Sequence, residues 1–428
     1  MQKITGRSYQ ITRLDNGLRV ATSFMPQMKS VSIGVWFGCG SRYEEKRTNG
    51  ISHFIEHLVF KGTEKRSGDE ICEAIEGFGG ELNASTSEES TEYFVKTIRE
   101  EVQNASEIVL DMVLNPSFKP GYLEKQRDII VEEIHMCEDN PSSHVEDLFN
   151  ALIWKDNPLG FTVLGSIANI KNISRDDIIA YKQRMYCANN CVVAAAGDIE
   201  HTNFVGMVRK NTENLNRGAP SRFKPVRNTQ LKPALVVENK DTEQVHLILG
   251  VPAVKWADNR RYALKLISII LGENMSSRLF KTVREEQGLV YSIQSGIDRY
   301  IDTGAFYVSA GIVTEQIIKA IKIILSEMAE LKKTTVPKKE LDRAKQYFRG
   351  SIIMDSERTM SRLHWLGENL RMADRIYDIE ETINAVMNVT ADDIKHLAET
   401  IFINQRLNAA LIGPIKNSNA IKKILKFD

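Results

Sequence analysis

The residues His53, Glu56 and His57 form the pattern His-x-x-Glu-His in the first part of the chain. At about 100° per residue on an α-helix, these side chains share one patch, and apolar residues cover the rest of the circumference. Such a helix is normally buried, and burying polar groups without partners is costly. A divalent metal would satisfy them: both histidines can bind one Zn²⁺, and Glu56 lies beside the ion to move a proton.

The order of these residues is the reverse of His-Glu-x-x-His and is the inverted zinc-peptidase signature. A short motif also arises by chance, and the alternative is a pair of core histidines hydrogen-bonded to their neighbours. Because two ligands do not complete a site, the hypothesis requires a third.

Glu133 is the candidate for the third ligand, on a helix predicted from Gly121 to Cys137. On the helical wheel Glu133 falls within an apolar stripe, whereas Glu132 lies about 100° away. The stripe consists of Tyr122, Ile129, Ile130, Met136 and Cys137. An ionised carboxylate there requires a cation, either the proposed metal or a lysine or arginine, and the sequence leaves both open. Two histidines, a glutamate and water form a standard catalytic zinc site.

Composition limits the classes of function. The 428 residues carry 56 Lys and Arg against 56 Asp and Glu, so no global charge attracts nucleic acid, and no nucleic-acid partner is expected. No apolar run reaches the length of a membrane span, and the N-terminus lacks a signal core. The five cysteines form no Cys-x-x-Cys pair, which favours reduced thiols and a cytoplasmic location.

Local patterns predict the elements around the motif. Residues 30–37 are predicted to form an apolar strand, and 67–77 a helix that begins at a Ser67 cap. A strand through 79–86 is predicted to pair with 91–98. Gly38-x-Gly40 lacks the remaining residues of a nucleotide-binding loop, so no nucleotide site is predicted.

The second half of the chain repeats the first at a constant offset of 216 positions. Ser174 and Asp177 correspond to Thr390 and Asp393, and each pair is predicted to cap a helix that an apolar strand follows. The repeat predicts two like domains in tandem.

The predicted domain bounds are 1–217 for the metal-binding domain, 218–233 for a breaker-rich linker and 234–428 for its homologue. The helix predicted at 262–272, which takes the place of the histidine helix, contains no histidine. We therefore expect no metal site in the second domain.

The chain resembles the pitrilysin/insulinase-type zinc peptidases, and among them the β subunit of mitochondrial processing peptidase and its two-domain bacterial relatives. The resemblance rests on the motif segments 50–58 and 79–84, the acid Glu133, and the segment 277–291. It covers nearly the whole chain. The glycine-rich loop of the processing-peptidase α subunit is absent, which indicates a catalytic chain.

The resemblance implies a role for each matching residue. It implies one zinc ion per chain, with ligands His53, His57 and Glu133. Glu56 is implied as the general base, and Arg284 and Tyr291 as groups that hold the scissile carbonyl oxygen and the substrate backbone. Gln126 stands where family members generally carry a glutamate, so we expect its contact beside the ligands to persist without the charge.

The implied fold is α/β (α+β): two tandem, similar domains, each a mixed, mostly antiparallel sheet covered by helices on one face. The implied activity is an endopeptidase that hydrolyses unfolded or extended peptides inside a closed chamber, as processing peptidases do. A peptide substrate would pair along a sheet edge. The residues chosen for that edge are Gly80, Asn83, Ala84 and Ser85.

Assembly follows from the two-domain length. The resemblance implies that Arg284 and Tyr291 of one protomer approach the zinc of its partner, so a homodimer is expected to form two complete sites. The alternative function is a non-catalytic structural subunit of a larger complex. Because structural members usually lose part of the ligand set and this chain keeps it, the peptidase is favoured.

Overall fold

The computed structural model of this chain describes residues 9–219 and 222–427. Within these residues the strands are β1 (Gln10–Arg13), β2 (Arg19–Phe24), β3 (Ser30–Phe37), β4 (Glu81–Thr86), β5 (Thr91–Ile98), β6 (Cys191–Gly197), β7 (Ala234–Asn239), β8 (Val245–Ala253), β9 (Val290–Arg299), β10 (Gly304–Ile312) and β11 (Asn408–Gly413).

The α-helices of the same ranges are α1 (Ile51–Val59), α2 (Gly68–Glu76), α3 (Val102–Leu114), α4 (Pro120–Asp139), α5 (Pro141–Ile153), α6 (Ile167–Asn172), α7 (Arg175–Met185), α8 (His201–Asn211), α9 (Arg261–Leu271), α10 (Ile317–Lys333), α11 (Lys338–Ser356), α12 (Thr359–Ala373), α13 (Ile379–Met387), α14 (Ala391–Ile401) and α15 (Ser418–Ile424). A π-helix covers Phe280–Glu286. None of these helices is both long enough and apolar enough to cross a membrane.

The chain forms two compact units, and both are discontinuous in sequence. Unit 1 contains the described residues of Met1–His135, Phe161–Lys224 and Ile353–Asp378. Unit 2 contains those of Met136–Gly160, Pro225–Ile352 and Ile379–Asp428. Each unit therefore takes one segment from the opposite half of the sequence.

The sheet of unit 1 has the strand order β1-β2-β6-β3-β5-β4. Only β2 and β6 pair in parallel, so the sheet is mixed and mostly antiparallel. Helices α1, α3, α7 and α8 pack their apolar side chains against one face. Strand β4 is outermost, and no further strand of the described residues lies beside it. Its outer backbone groups are therefore available for pairing.

The opposite face of this sheet is covered by α12, which comes from the second half of the sequence. Leu363 and Leu370 of α12 pack with Trp36 and with the alanines of β6. The Trp36 ring lies so close to Gly34 and Gly367 that a Cβ on either glycine would come within 2.4 Å of it. Glycine is required there because the helix and the sheet approach each other across a single indole ring.

Unit 2 repeats this arrangement. Its sheet has the order β7-β11-β8-β10-β9, with β7 and β11 parallel. Helices α9, α10 and α14 cover one face, and α5 from the first half of the sequence packs on the other. The predicted fold class is confirmed, and the structure adds the exchanged helices α5 and α12.

The repeated capping signals also form as predicted. Ser174 and Thr390 each accept a hydrogen bond from the backbone N–H of the aspartate three residues later, and that carboxylate accepts from the cap N–H. Each helix leads into a buried strand, β6 or β11. Short-range hydrogen bonds thus start equivalent helices in both halves.

A buried ion pair supports the turn between β4 and β5. Arg42 Nη1 lies 2.5 Å from Glu89 Oε1, and their side chains are 0% and 3% exposed. Removing one charge of a buried pair costs about 3–5 kcal/mol, because the remaining charge loses its counter-ion away from water. We expect Glu89→Gln to lower the free energy of unfolding by about 3 kcal/mol.

Urea denaturation followed by circular dichroism measures this loss. The matched control is Asp355→Asn, which breaks the exposed pair with Arg358 in the same unit. Exposed pairs contribute about 0–1 kcal/mol, so the control should remain near wild type. Equal loss in both variants would contradict the stabilising role of the Arg42–Glu89 pair.

Candidate metal centre

Helix α1 is held at its first turn by a buried acid. Gly50 precedes the helix with a φ of 98°, and a Cβ there would lie 2.7 Å from the carbonyl oxygen of Leu164. The Glu44 carboxylate accepts hydrogen bonds from the N–H groups of Gly50 and Ser52 at 2.7 and 2.8 Å. Because these are otherwise unpaired donors at a helix N-terminus, Glu44 fixes where α1 begins.

The two histidines of α1 converge on a single carboxylate oxygen of α4. His53 Nε2 and His57 Nε2 lie 3.6 and 3.5 Å from Oε2 of Glu133. Tetrahedral ligands at about 2.1 Å from a zinc ion lie about 3.4 Å from one another. The two distances to Glu133 are close to that spacing and exceed the roughly 2.7–3.2 Å that is usual for a direct hydrogen bond.

The surroundings of the cluster also fit a metal. Glu133 forms no ion pair with lysine or arginine among the described residues. The cluster is the one group of three His, Cys, Asp or Glu side chains within metal-binding distance in the ranges that the structure describes. Two imidazoles and a carboxylate are a donor set that suits zinc.

Burial sets the charge of these groups. Removal from water, together with repulsion from His57, lowers the pKa of His53 to about 4, so its ring is neutral at pH 7. The adjacent His57 ring is the largest cause that lowers the pKa of Glu133, which is therefore ionised. A neutral imidazole and a carboxylate are the forms that bind metal.

Gln126 orients the second histidine. Its side chain is buried on α4, and its Oε1 lies 3.3 Å from Nδ1 of His57. An amide oxygen only accepts hydrogen bonds, so Nδ1 of His57 carries the proton and donates it. The lone pair is then on Nε2, the atom that faces Glu133.

Glu133 does not lie in the middle of the buried face of α4, where the helical wheel predicted it. Its buried face is made of Leu123, Gln126, Ile130 and Ile134, and Glu133 lies beside that face with 39% of its side chain exposed. The expected apolar stripe is not continuous, because Ile129 and Met136 are exposed. Glu132 is exposed as well.

Glu56 lies on α1 next to His57, and it is half-buried. Removal from water raises the pKa of its carboxyl group. Thr86, the last residue of β4, donates a hydrogen bond from Oγ1 to Oε2 of Glu56 at 2.5 Å. Sequence reasoning missed Thr86, although alternation along β4 places it on the same face of the strand as Ala84.

The residues predicted to bind substrate lie on or beside the outer strand. Gly80 directly precedes β4, and its missing side chain makes room for Phe78 and Ile75. Asn83 and Ser85 are exposed, whereas Ala84 is half-buried. Asn83 Oδ1 accepts a hydrogen bond from the N–H of Ala84 at 2.8 Å.

Arg284 and Tyr291 belong to unit 2, whereas the histidine cluster belongs to unit 1. Arg284 lies in the π-helix, with its guanidinium 4.9 Å from the centre of the Phe280 ring. Tyr291 is in β9 and is 64% exposed. Neither forms an ion pair within the described residues.

Comparison with known proteins identifies the family. Residues 19–166 match the family model described as Insulinase (Peptidase family M16), and residues 172–348 match that of the Peptidase M16 inactive domain. An uncharacterized zinc protease of Mycobacterium leprae (strain TN) is 34% identical over 421 residues, covering 97% of this chain and 94% of that protein. The chain belongs to peptidase family M16. The predicted resemblance is confirmed.

Solved structures share the M16 fold at low identity. A protease from Helicobacter pylori superimposes with a TM-score of 0.89 at 22% identity, covering 95% of this chain and 99% of that one. A chain of complex III2 from Candida albicans superimposes with a TM-score of 0.83 at 19% identity, covering 97% of this chain and 99% of that one. These likenesses show the fold alone, so the activity of this M16 chain is argued from its own residues.

Proposed function

We propose that this M16 chain is a zinc-dependent endopeptidase that hydrolyses unfolded or extended peptides. The observation that carries the proposal is the convergence of His53 and His57 on one oxygen of Glu133, with all three ligand atoms within 4.8 Å of one another and Glu56 next to them. The names of its relatives as zinc proteases support the same metal. We propose one zinc ion per chain, bound by these three residues.

Zinc bound at this site would supply a Lewis acid that polarises a carbonyl group and acidifies water. Glu56 takes a proton from water as the water oxygen bonds to the scissile carbonyl carbon, and it returns that proton to the amine nitrogen as the C–N bond breaks. His57, held by Gln126, and the neutral His53 keep their lone pairs for binding. Arg284 and Tyr291 are proposed to hold the carbonyl oxygen and the substrate backbone as charge develops.

The free edge of β4 supports extended peptides as substrates. Backbone pairing along Gly80, Asn83, Ala84 and Ser85 would give affinity with little sequence preference, since main-chain groups are common to all peptides. A closed chamber is part of the proposal and would exclude folded proteins. A processing-peptidase role and a cytoplasmic location stay predictions from the sequence.

The test is digestion of a peptide library by the zinc-loaded protein, with products identified by mass spectrometry. We expect chelator-sensitive cleavage at internal bonds of unstructured peptides, and much slower digestion of a compact domain than of its denatured form. Absence of any cleavage by the zinc-loaded protein would reject the proposed activity.

The contact from Gln126 to His57 gives a prediction about metal affinity. Replacing a residue that orients a metal-binding histidine typically lowers metal affinity or activity by roughly 10- to 100-fold. We expect Gln126→Leu to weaken zinc binding by about 10- to 100-fold, because the apolar side chain cannot accept the Nδ1 proton. Competition with a chromophoric chelator measures the affinity.

The matched variant is Gln126→Glu, which keeps an acceptor at the same place. It should retain tight zinc binding, because its carboxylate also accepts from Nδ1 of His57. If the leucine variant bound zinc as tightly as wild type, the hydrogen bond to His57 would have no part in binding metal.

We propose that Arg284 and Tyr291 act in trans within a homodimer. Their membership of unit 2, and the exposure of Tyr291, are compatible with an approach from a second protomer. Mixing inactive Glu56→Gln with weakened Tyr291→Phe should then restore on the order of a quarter of wild-type activity, because mixed dimers regain one intact site. Peptide hydrolysis after verified subunit exchange measures this.

If Arg284 and Tyr291 act within one chain, no site is restored by mixing. A mixture no more active than its components, despite demonstrated exchange, would reject the trans arrangement. The trans arrangement would also be rejected if the protein were a monomer at the concentration of the assay.

The alternative is a non-catalytic subunit of a larger complex. It is considered because the same fold occurs in a chain of complex III2 from Candida albicans. The peptide-library experiment separates the two functions, since a structural subunit would cleave nothing even when it binds zinc.

A further inference from the structure

We propose that Thr86 is a positioning residue for Glu56, holding one oxygen of its carboxylate so that the other is presented to water. The inference rests on the proposed function, in which Glu56 moves the proton. Thr86 itself touches neither the metal ligands nor, in this proposal, the reacting atoms.

The contact between the two side chains is short and charge-assisted. Oγ1 of Thr86 lies 2.5 Å from Oε2 of Glu56, in the range of a hydroxyl that donates to a carboxylate. Oε1 of Glu56 has no hydrogen-bond partner in the described part of the chain. The hydrogen bond therefore distinguishes the two oxygens and leaves Oε1 to accept a proton.

A second hydroxyl lies close to Thr86 but does not compete for its proton. Oγ1 of Thr91, the pairing partner of Thr86 in β5, is 3.4 Å away. A threonine hydroxyl has one proton, and the shorter contact to a charged acceptor is the stronger one. The proton of Thr86 therefore points to Glu56.

The turn that follows Thr86 is held by a hydrogen bond within it and by contacts with residues outside it. Ser87 and Ser90 close it with a backbone hydrogen bond of 2.8 Å, and the buried Arg42–Glu89 pair anchors its far side. A Cβ on Gly40 would come within 2.1 Å of the carbonyl oxygen of Ser87. Because the turn cannot shift without breaking these contacts, the end of β4 is a rigid support for the Thr86 hydroxyl.

Strand β4 thus connects two parts of the proposed site. Its exposed residues, Asn83 and Ser85, belong to the edge proposed to bind peptide, and Thr86 ends the same strand at Glu56. The strand that aligns a substrate backbone also aligns the base. General bases lose efficiency when they are displaced by about 1 Å, on the order of 100-fold.

The experiment compares Thr86→Val, which keeps the shape and removes the hydroxyl, with Thr86→Ser, which keeps the hydroxyl. We expect Thr86→Val to lower kcat by about 10- to 100-fold, with KM and zinc content near wild type, and Thr86→Ser to recover most of kcat. The matched control is Thr97→Val in β5, because Oγ1 of Thr97 is buried without a hydrogen-bond partner. That control should leave kcat unchanged.

A wild-type kcat in Thr86→Val, or an equal loss in Thr86→Val and Thr86→Ser, would overturn the proposal. If the wild-type protein cleaves no peptide, the proposed function fails, and crystal structures of the two variants then decide the role of Thr86. Glu56 should keep its place in Thr86→Ser and turn away in Thr86→Val. An unmoved carboxylate in both would contradict the positioning role.

Discussion

Replacing Glu56 with glutamine should lower kcat for peptide hydrolysis by about 1000-fold while the protein still binds one zinc ion. General acid–base catalysis contributes roughly 10²- to 10⁴-fold, and an amide cannot take a proton from water. Glutamine keeps the size of the side chain and an oxygen that accepts from Thr86, so α1 should fold unchanged. The measurement combines steady-state kinetics with metal analysis of the same preparation.

The matched control for Glu56→Gln is Glu132→Gln, which removes one negative charge from an exposed position of α4. It should keep both zinc and activity. Hydrolysis by Glu56→Gln at near the wild-type rate would contradict the role of Glu56 as the base. Loss of zinc from that variant would instead indicate that Glu56 belongs to the ligand set.

Replacing Glu133 with glutamine should remove zinc from the protein, whereas Glu132→Gln should keep it. Oε2 of Glu133 is the atom on which both histidines converge, and the carboxylate is the only group of the three that brings a negative charge to the cation. A neutral amide is a weak zinc ligand. Zinc affinity should fall by more than the roughly 10- to 100-fold that is expected when a residue contacting a ligand, but not the metal, is replaced.

These two variants differ by one position on the same helix and remove the same charge. Zinc titration by calorimetry, together with metal content after dialysis, compares them directly. Equal zinc affinity in Glu133→Gln and wild type, or loss of zinc from Glu132→Gln instead, would overturn the ligand assignment.

Local sequence signals predicted the elements near the site because short-range physics determines them. The strands β3 and β5 have the predicted bounds, and α2 begins at the Ser67 cap. In each case the signal, a capping box or an apolar alternation, lies within a few residues of the element that it specifies.

The surroundings of Glu133 were less predictable. The helical wheel placed Ile129 and Met136 in one apolar stripe with Glu133, yet both residues are exposed and the polar Gln126 is buried. Which face of a helix is buried depends on the elements packed against it, and those contacts are distant in sequence. The spacing of residues in the sequence can therefore indicate a candidate ligand, but it does not predict which side chains surround that ligand.

Contacts between distant segments could not be read from periodicity. The packing of α12 against the sheet of unit 1, and of α5 in unit 2, exchanges helices between the two halves of the sequence. The hydrogen bond from Thr86 to Glu56 joins strand β4 to helix α1. The turn after β4 is held by an ion pair between Glu89 and Arg42, which precedes α1 in the sequence. Each depends on tertiary packing, which a one-dimensional pattern does not encode.

The most direct test of the metal centre is a crystal structure of the zinc-loaded protein with diffraction data collected on both sides of the zinc absorption edge. We expect one anomalous peak per chain, about 2.0–2.2 Å from Nε2 of His53, Nε2 of His57 and a carboxylate oxygen of Glu133. No peak between these three side chains, or a zinc ion bound by other residues, would contradict this expectation.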